Sequence, residues 1–202
     1  MKEAYKVTIA CICIISLVFT AVIIIYFPRT QEIPVMTAMT KTEKAIALSK
    51  NWTNDSTLVA VQSTGKLVDG KSEGWRYSFI SPSTARNNSM VLEYDQQTIT
   101  IYANGKITTS YWNHSILNAH IINWTIDSNR AYKIYSNDPL VKEKIIKKSM
   151  RPEYFTLRME YGYSANNAIW DIHFGGGIFD PLLGTVIMDA KVGTIISVTA
   201  NR

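Results

Sequence analysis

Asp171 and His173 stand two residues apart in Trp170-Asp171-Ile172-His173-Phe174, so on a β-strand their side chains share one face, and an aspartate beside a histidine can orient a general base. The same alternation leaves Trp170, Ile172 and Phe174 for the opposite, core-facing side, which makes the polar pair a surface or interface feature rather than a reaction centre. No nucleophile elbow accompanies it: Gly162-Tyr163-Ser164-Ala165-Asn166 lacks the second glycine of Gly-x-Ser-x-Gly, and Gly70-Lys71-Ser72-Glu73-Gly74, which fits the letters, falls between a turn and a strand and not between a strand and a helix. Gly175, Gly176 and Gly177 follow directly. Without a helical pattern close behind, they form a bent or flexible loop and not a phosphate cradle. Asp171, His173, Gly175, Gly176 and Gly177 are therefore read as a partner-binding patch on a protein that is not an enzyme. His114 and His120 are six residues apart with no third ligand nearby in sequence, so neither a metal nor another cofactor is expected.

Two further sets of residues bear on partners. Asn51, Asn54, Asn87, Asn113 and Asn123 each begin an Asn-x-Ser/Thr sequon, mild evidence for glycosylation outside the cell, although a polar, Thr-rich surface explains them as well. Lys142, Lys144, Lys147, Lys148 and Arg151 form a basic stretch on a predicted helix and read as its solvated face. The overall surplus of cations, 21 Lys+Arg against 16 Asp+Glu, is modest and scattered, which argues against nucleic acid as a partner. At 47% hydrophobic residues the chain is too apolar to be disordered.

That apolar content is concentrated at the start. Residues 7–27 carry no charge and are interrupted only by Thr8, Ser16 and Thr20; as a helix they would extend ~31 Å, close to the ~30 Å hydrocarbon core of a bilayer. A cleaved signal peptide is the rival, but its apolar stretch would be shorter and would end at small residues, whereas this one ends Ile23-Ile24-Ile25-Tyr26-Phe27-Pro28. Lys2 and Lys6 precede the segment and only Arg29 follows closely, which places the N-terminus in the cytoplasm and the C-terminal part outside. Cys11 and Cys13 both lie within the segment, so the remainder can form no disulfide and must rely on an ordinary core.

The rest divides into a tether and two similar units. Residues 29–40 are polar and aperiodic. Thr40-Lys41-Thr42-Glu43 fits a capping box for a helix over 41–51, followed by a strand over 57–62, a turn at Asp69-Gly70-Lys71, and an aromatic strand over 74–80. Strands at 90–94 and 98–102 would form a hairpin about Asp95-Gln96-Gln97, with Asn104-Gly105 closing the unit. The second half repeats the order. Asp127-Ser128 and Asp138-Pro139 are helix starts, residues 155–161 alternate as a strand, Trp170-x-x-x-Phe174 matches Trp75-x-x-x-Phe79, and 185–188 and 194–199 pair about Asp189-Ala190-Lys191-Val192-Gly193. Trp75 precedes Asp95 by 20 residues and Trp170 precedes Asp189 by 19, as an internal duplication would require. The expected fold is α+β: an N-terminal transmembrane helix (1–28 with its cytoplasmic tip), then units 41–112 and 113–202, each a helix packed on a small antiparallel sheet.

The stretch from Trp170 to Phe174, followed by Gly184-Thr185-Val186-Ile187-Met188-Asp189-Ala190-Lys191-Val192-Gly193-Thr194-Ile195-Ile196, resembles the end of a PepSY domain, with Val192 where Thr or Asn is usual. Residues 75–102 resemble a degenerate copy that keeps Asp95. The resemblance implies a small extracytoplasmic binding or regulatory module without catalytic residues, of a kind proposed to restrain peptidases. The expected partners are therefore the bilayer, through residues 7–27, and an extracytoplasmic protein such as a peptidase. A surface-structural, pilin-like or adhesive protein is the alternative, although Lys6-Val7 lacks the Gly or Ala that pilin processing needs before the apolar run. A hydrolase would rest on Asp171 and His173 alone. In intact cells, protease added outside should digest everything after Pro28, and protection of the C-terminal part would overturn the assigned topology.

Overall fold

Alternating side chains become eight strands in the computed structural model, which describes residues 33–88, 91–115, 121, 124–148, 150–159, 168–175 and 183–200. The strands are β1 (Thr57–Val68), β2 (Lys71–Asn88), β3 (Val91–Tyr102), β4 (Ile107–Ser115), β5 (Arg151–Met159), β6 (Ala168–Gly175), β7 (Gly184–Asp189) and β8 (Ile195–Ala200). They form a single sheet in the order β4-β3-β2-β1-β5-β6-β7-β8, antiparallel throughout. Helix α1 (Thr42–Lys50) enters from a 3-10 turn at Ala38–Lys41 and precedes the first four strands. Helices α2 (Ser128–Asn137) and α3 (Pro139–Lys144), with a 3-10 turn at Ile146–Lys148, precede the last four.

This overturns the expected architecture of two units on two small sheets behind a transmembrane helix. The two meanders are joined edge to edge, β1 against β5, through Ala60↔Arg158, Val61↔Leu157 and Gln62↔Thr156. Alternation in a sequence reveals a strand and its buried face but not which strand covers its open backbone edge, and here each half covers the other's. Among the described residues no helix is long and apolar enough to cross a membrane. Residues 7–27, on which that expectation rested, lie outside them.

Register and burial show where the core sits. Met188, Trp170, Leu157, Val61, Tyr77 and Ile99 align in one row across six strands, and all are buried on the face that the helices cover. Ala45 of α1, Ala131 and Tyr135 of α2, and Val141 of α3, with Ile145 at its C-cap, fill the other side of this layer. At the centre the Trp75 and Trp170 rings meet edge to face, 6.2 Å between centroids. Each indole is fully buried and donates its N–H to a main-chain carbonyl just upstream of a helical segment: Trp75 to Met36 at 2.8 Å, Trp170 to Ile126 at 2.7 Å. A buried N–H left unmade would cost about 1–3 kcal/mol, so these bonds fix where the helices attach.

Local signals fare unevenly. Asp127 accepts from the Ser128 N–H, and Asp138 from the Leu140 and Val141 N–H groups, with Pro139 in the first turn. The capping box at Thr40 does not form: α1 starts after Lys41 without a side-chain cap, because the 3-10 turn precedes it and Thr42 donates its hydroxyl to the Ala38 carbonyl. Asp95-Gln96-Gln97 is not a turn either. β3 runs straight through it, with Asp95 ion-paired to Arg86 at 2.6 Å and its N–H bonded to Thr84 Oγ1, and the reversal comes at Asn104-Gly105, where Gly105 has φ +90°. At the β1–β2 turn, Gly70 (φ +76°) lies so close to α2 that a Cβ would come 2.3 Å from the Ser128 carbonyl oxygen.

Trp170→Ala should cost about 3–5 kcal/mol in urea denaturation, removing both the packed ring and the bond to Ile126. Tyr135→Phe should cost nothing or stabilise slightly, because the Tyr135 hydroxyl is buried without a hydrogen-bond partner among the described residues.

Candidate functional site

The side chains that alternate with the core rows point to the other face of the sheet. One row there runs Ile187, Asp171, Thr156, Gln62, Arg76, Thr100 and Thr108; the next runs Arg158, Ala60, Ser78, Thr98 and Ser110. Over β1–β5 these rows line a trough of about 540 Å³, to which the described helices contribute no residue. Its floor is hydroxyls and amides. Ser78, Thr98 and Thr100 are nearly buried, Arg76 Nη1 donates to Gln62 Oε1 at 3.4 Å, and Trp112, 63% exposed, stands in the wall on β4.

Beside the trough is the charged cluster. Arg158 donates to Asp171 Oδ2 from Nε at 3.1 Å and from Nη2 at 2.9 Å. His173 Nε2 lies 3.0 Å from Oδ1, within ion-pair range but poorly aligned as a hydrogen bond. Tyr154, across the strand boundary on β5, stacks on the His173 ring with centroids 4.3 Å apart and planes at 21°. Burial alone would raise the Asp171 carboxyl, but contact with His173 and then the Arg158 guanidinium outweigh it and hold the group below the usual carboxylate range. Both Arg158 donors fall on one oxygen of the carboxylate, Oδ2, and leave Oδ1 to His173. The arrangement fixes the side chains of Arg158, Asp171 and His173 in place.

The residues expected to form a patch are distributed as follows. Asp171 and His173 share one face of β6, as their spacing predicts, but Asp171 is only 7% exposed and supports its neighbours more than it meets solvent. Gly175 is buried at the end of β6, opposite Arg151, where a Cβ would meet the Glu153 carboxylate. Gly176 and Gly177 lie outside the described residues. Asn51, Asn54, Asn87 and Asn113 are exposed, and Asn123 lies outside the described residues, as does His120; His114 is on β4. Among the described residues no group of three His, Cys, Asp or Glu could hold a metal. Lys142, Lys144, Lys147, Lys148 and Arg151 are all exposed around the buried Val141 and Ile145.

Sequence reasoning missed Arg158 and Tyr154 as partners of the pair, and it missed the trough altogether. A signal for the trough was present in the alternation Thr98-x-Thr100 and Thr108-x-Ser110, which puts hydroxyls on one face of two strands. Comparison with protein-family models, with characterised proteins and with solved structures finds no match for this chain.

Because the folded-state pKa of Asp171 is depressed, its contribution to stability is fully present above the ordinary carboxylate range and is lost as pH falls through the depressed value. Asp171→Asn should therefore lower stability by about 2 kcal/mol at neutral pH. The gap between the two Tm profiles should narrow as pH drops below ~4. A gap that is constant down to strong acid would show that the Arg158 and His173 contacts do not favour the ionised form.

Proposed function

We propose that this chain is a membrane-anchored, extracytoplasmic binding or regulatory module of PepSY-like character that holds another protein, such as a peptidase that it restrains, and that it is not an enzyme. What supports the reading most is the sidedness of the sheet. One face is committed to helices and aromatic core, while the other offers a polar trough of about 540 Å³ whose side chains are preset by cross-strand neighbours. The repeated order of helix and four-strand meander agrees with a duplicated module, and the uncharged segment 7–27 supplies the anchor. Against the hydrolase alternative stands Ser72, the serine of the Gly-x-Ser-x-Gly in the sequence, which is fully buried with its hydroxyl donated to the Thr64 carbonyl.

The test uses the trough and not Asp171, whose loss would disturb the sheet. A photo-crosslinking residue at Arg76 or Gln62 in the chain in its native cells should give a discrete protein adduct, and the same residue at Lys142, on the helical face, should not. Purified chain should leave ester, peptide and glycoside substrates intact. Turnover that disappears in His173→Ala would replace the binding reading with the hydrolase one.

A further inference from the structure

Strand β4 is the sheet's first edge, and its outer side is unusually open. Residues Ile107 to Asn113 are all exposed, and the strand contains no Lys, Arg, Asp, Glu or Pro, the residues that ordinarily blunt an edge. Its pairing with β3 is regular from Ile101↔Ile107 to Gln96↔Trp112. The other edge is different: β8 has only six residues, pairs with a register irregularity at Ile187/Met188, and is packed by α3.

The direction of the free backbone groups follows from the hairpin. Tyr102 N–H donates to the Lys106 carbonyl at 2.9 Å, so the antiparallel alternation turns the main-chain groups of Thr108, Ser110 and Trp112 toward β3. Those of Ile107, Thr109 and Tyr111 face outward. The edge ends at Asn113, whose carbonyl is already taken by Arg86 Nη2.

These three residues are self-complementary. If a second β4 lies antiparallel with the two-fold axis at Thr109, then Thr109 meets Thr109, Ile107 meets Tyr111, and Tyr111 meets Ile107. Each pair exchanges two main-chain hydrogen bonds, and threonine on threonine and a β-branched residue on an aromatic are favourable cross-strand neighbours. Tyr111 is already held for this role: it is 61% exposed, yet its hydroxyl accepts from Gln97 Nε2 at 3.1 Å and its ring leans on Trp52 at 6.3 Å. With no Lys, Arg, Asp or Glu from Ile107 to Asn113, no like charges face each other across this axis within the strand. We propose that the chain forms an isologous dimer through β4, extending the sheet across the two-fold and joining the two troughs along their Trp112 walls. This stands independently of what the trough binds.

The test is made on the 202-residue chain in mild detergent by sedimentation over a range of concentration. The parent should show a monomer–dimer equilibrium. Thr109→Lys and Thr109→Glu, which put like charges face to face at the axis, should each weaken it by at least about tenfold while keeping the parent's circular dichroism and Tm. An equimolar mixture of the two variants should recover the dimer, a result that only an axis at residue 109 predicts. A monomeric parent, a dimer indifferent to both substitutions, or a mixture that stays monomeric would each overturn the proposal; the last would leave β4 as an edge for some other extended chain.

Discussion

Two buried indole N–H groups organise this protein. Trp75 and Trp170 occupy equivalent places on β2 and β6, touch edge to face, and must each find an acceptor inside a dry core. The acceptors they find, Met36 and Ile126, belong to the segments that lead into α1 and α2. The same segments are then tied to each other, since the Ala38 N–H donates to Ser128 Oγ and the Met39 N–H to Asp127 Oδ1. Tyr77 adds a bond from its hydroxyl to the Ala38 carbonyl, and burial pushes its pKa far above that of a free tyrosine. One pair of rings thus joins the two sheet halves and the helical segments that precede each of them.

With the helices fixed on that side, the opposite face of the sheet is left to polar residues. Thr98, Thr100 and Ser78 are nearly buried there among neighbouring strands, and none of the described helices contributes a residue to the trough they line. Short hydroxyl side chains suit this place: they satisfy each other across strands, as Ser78 and Thr98 do at 3.5 Å, and carry little rotamer entropy. The charged cluster at Asp171 continues the same face toward β7. Recognition built this way depends on the rigidity of the sheet, so its specificity is inherited from the core beneath it.

What could be read from the sequence was local. The Trp-x-x-x-Phe strands, the aspartate caps at 127 and 138, and the β7–β8 hairpin about Asp189 and Gly193 all follow from spacing and turn chemistry within a few residues. What could not be read depended on distant residues. Asp95-Gln96-Gln97 looks like a turn until Arg86 and Thr84, nine and eleven residues upstream, engage Asp95 and let the strand continue. Asp171 looks like an exposed polar residue until Arg158 reaches it from the next strand. The union of two sheets into one rests on Val61 meeting Leu157, a contact that periodicity within either half does not encode.

That seam is also an ordering in time. Each meander is assembled from neighbouring strands and short turns, the contacts that form fastest, whereas β1 and β5 must close a loop of nearly half the chain, from Val61 to Leu157. As the polypeptide emerges from its N-terminal end, α1 and β1 to β4 can collapse before β5 exists. During that interval the first half has two bare edges, one of which the second half will occupy and one of which it will not. Anything that slows delivery of residues 151–159 lengthens the period in which β1 can pair with the wrong strand, so the yield of native protein is set at the middle of the sheet and not at its ends.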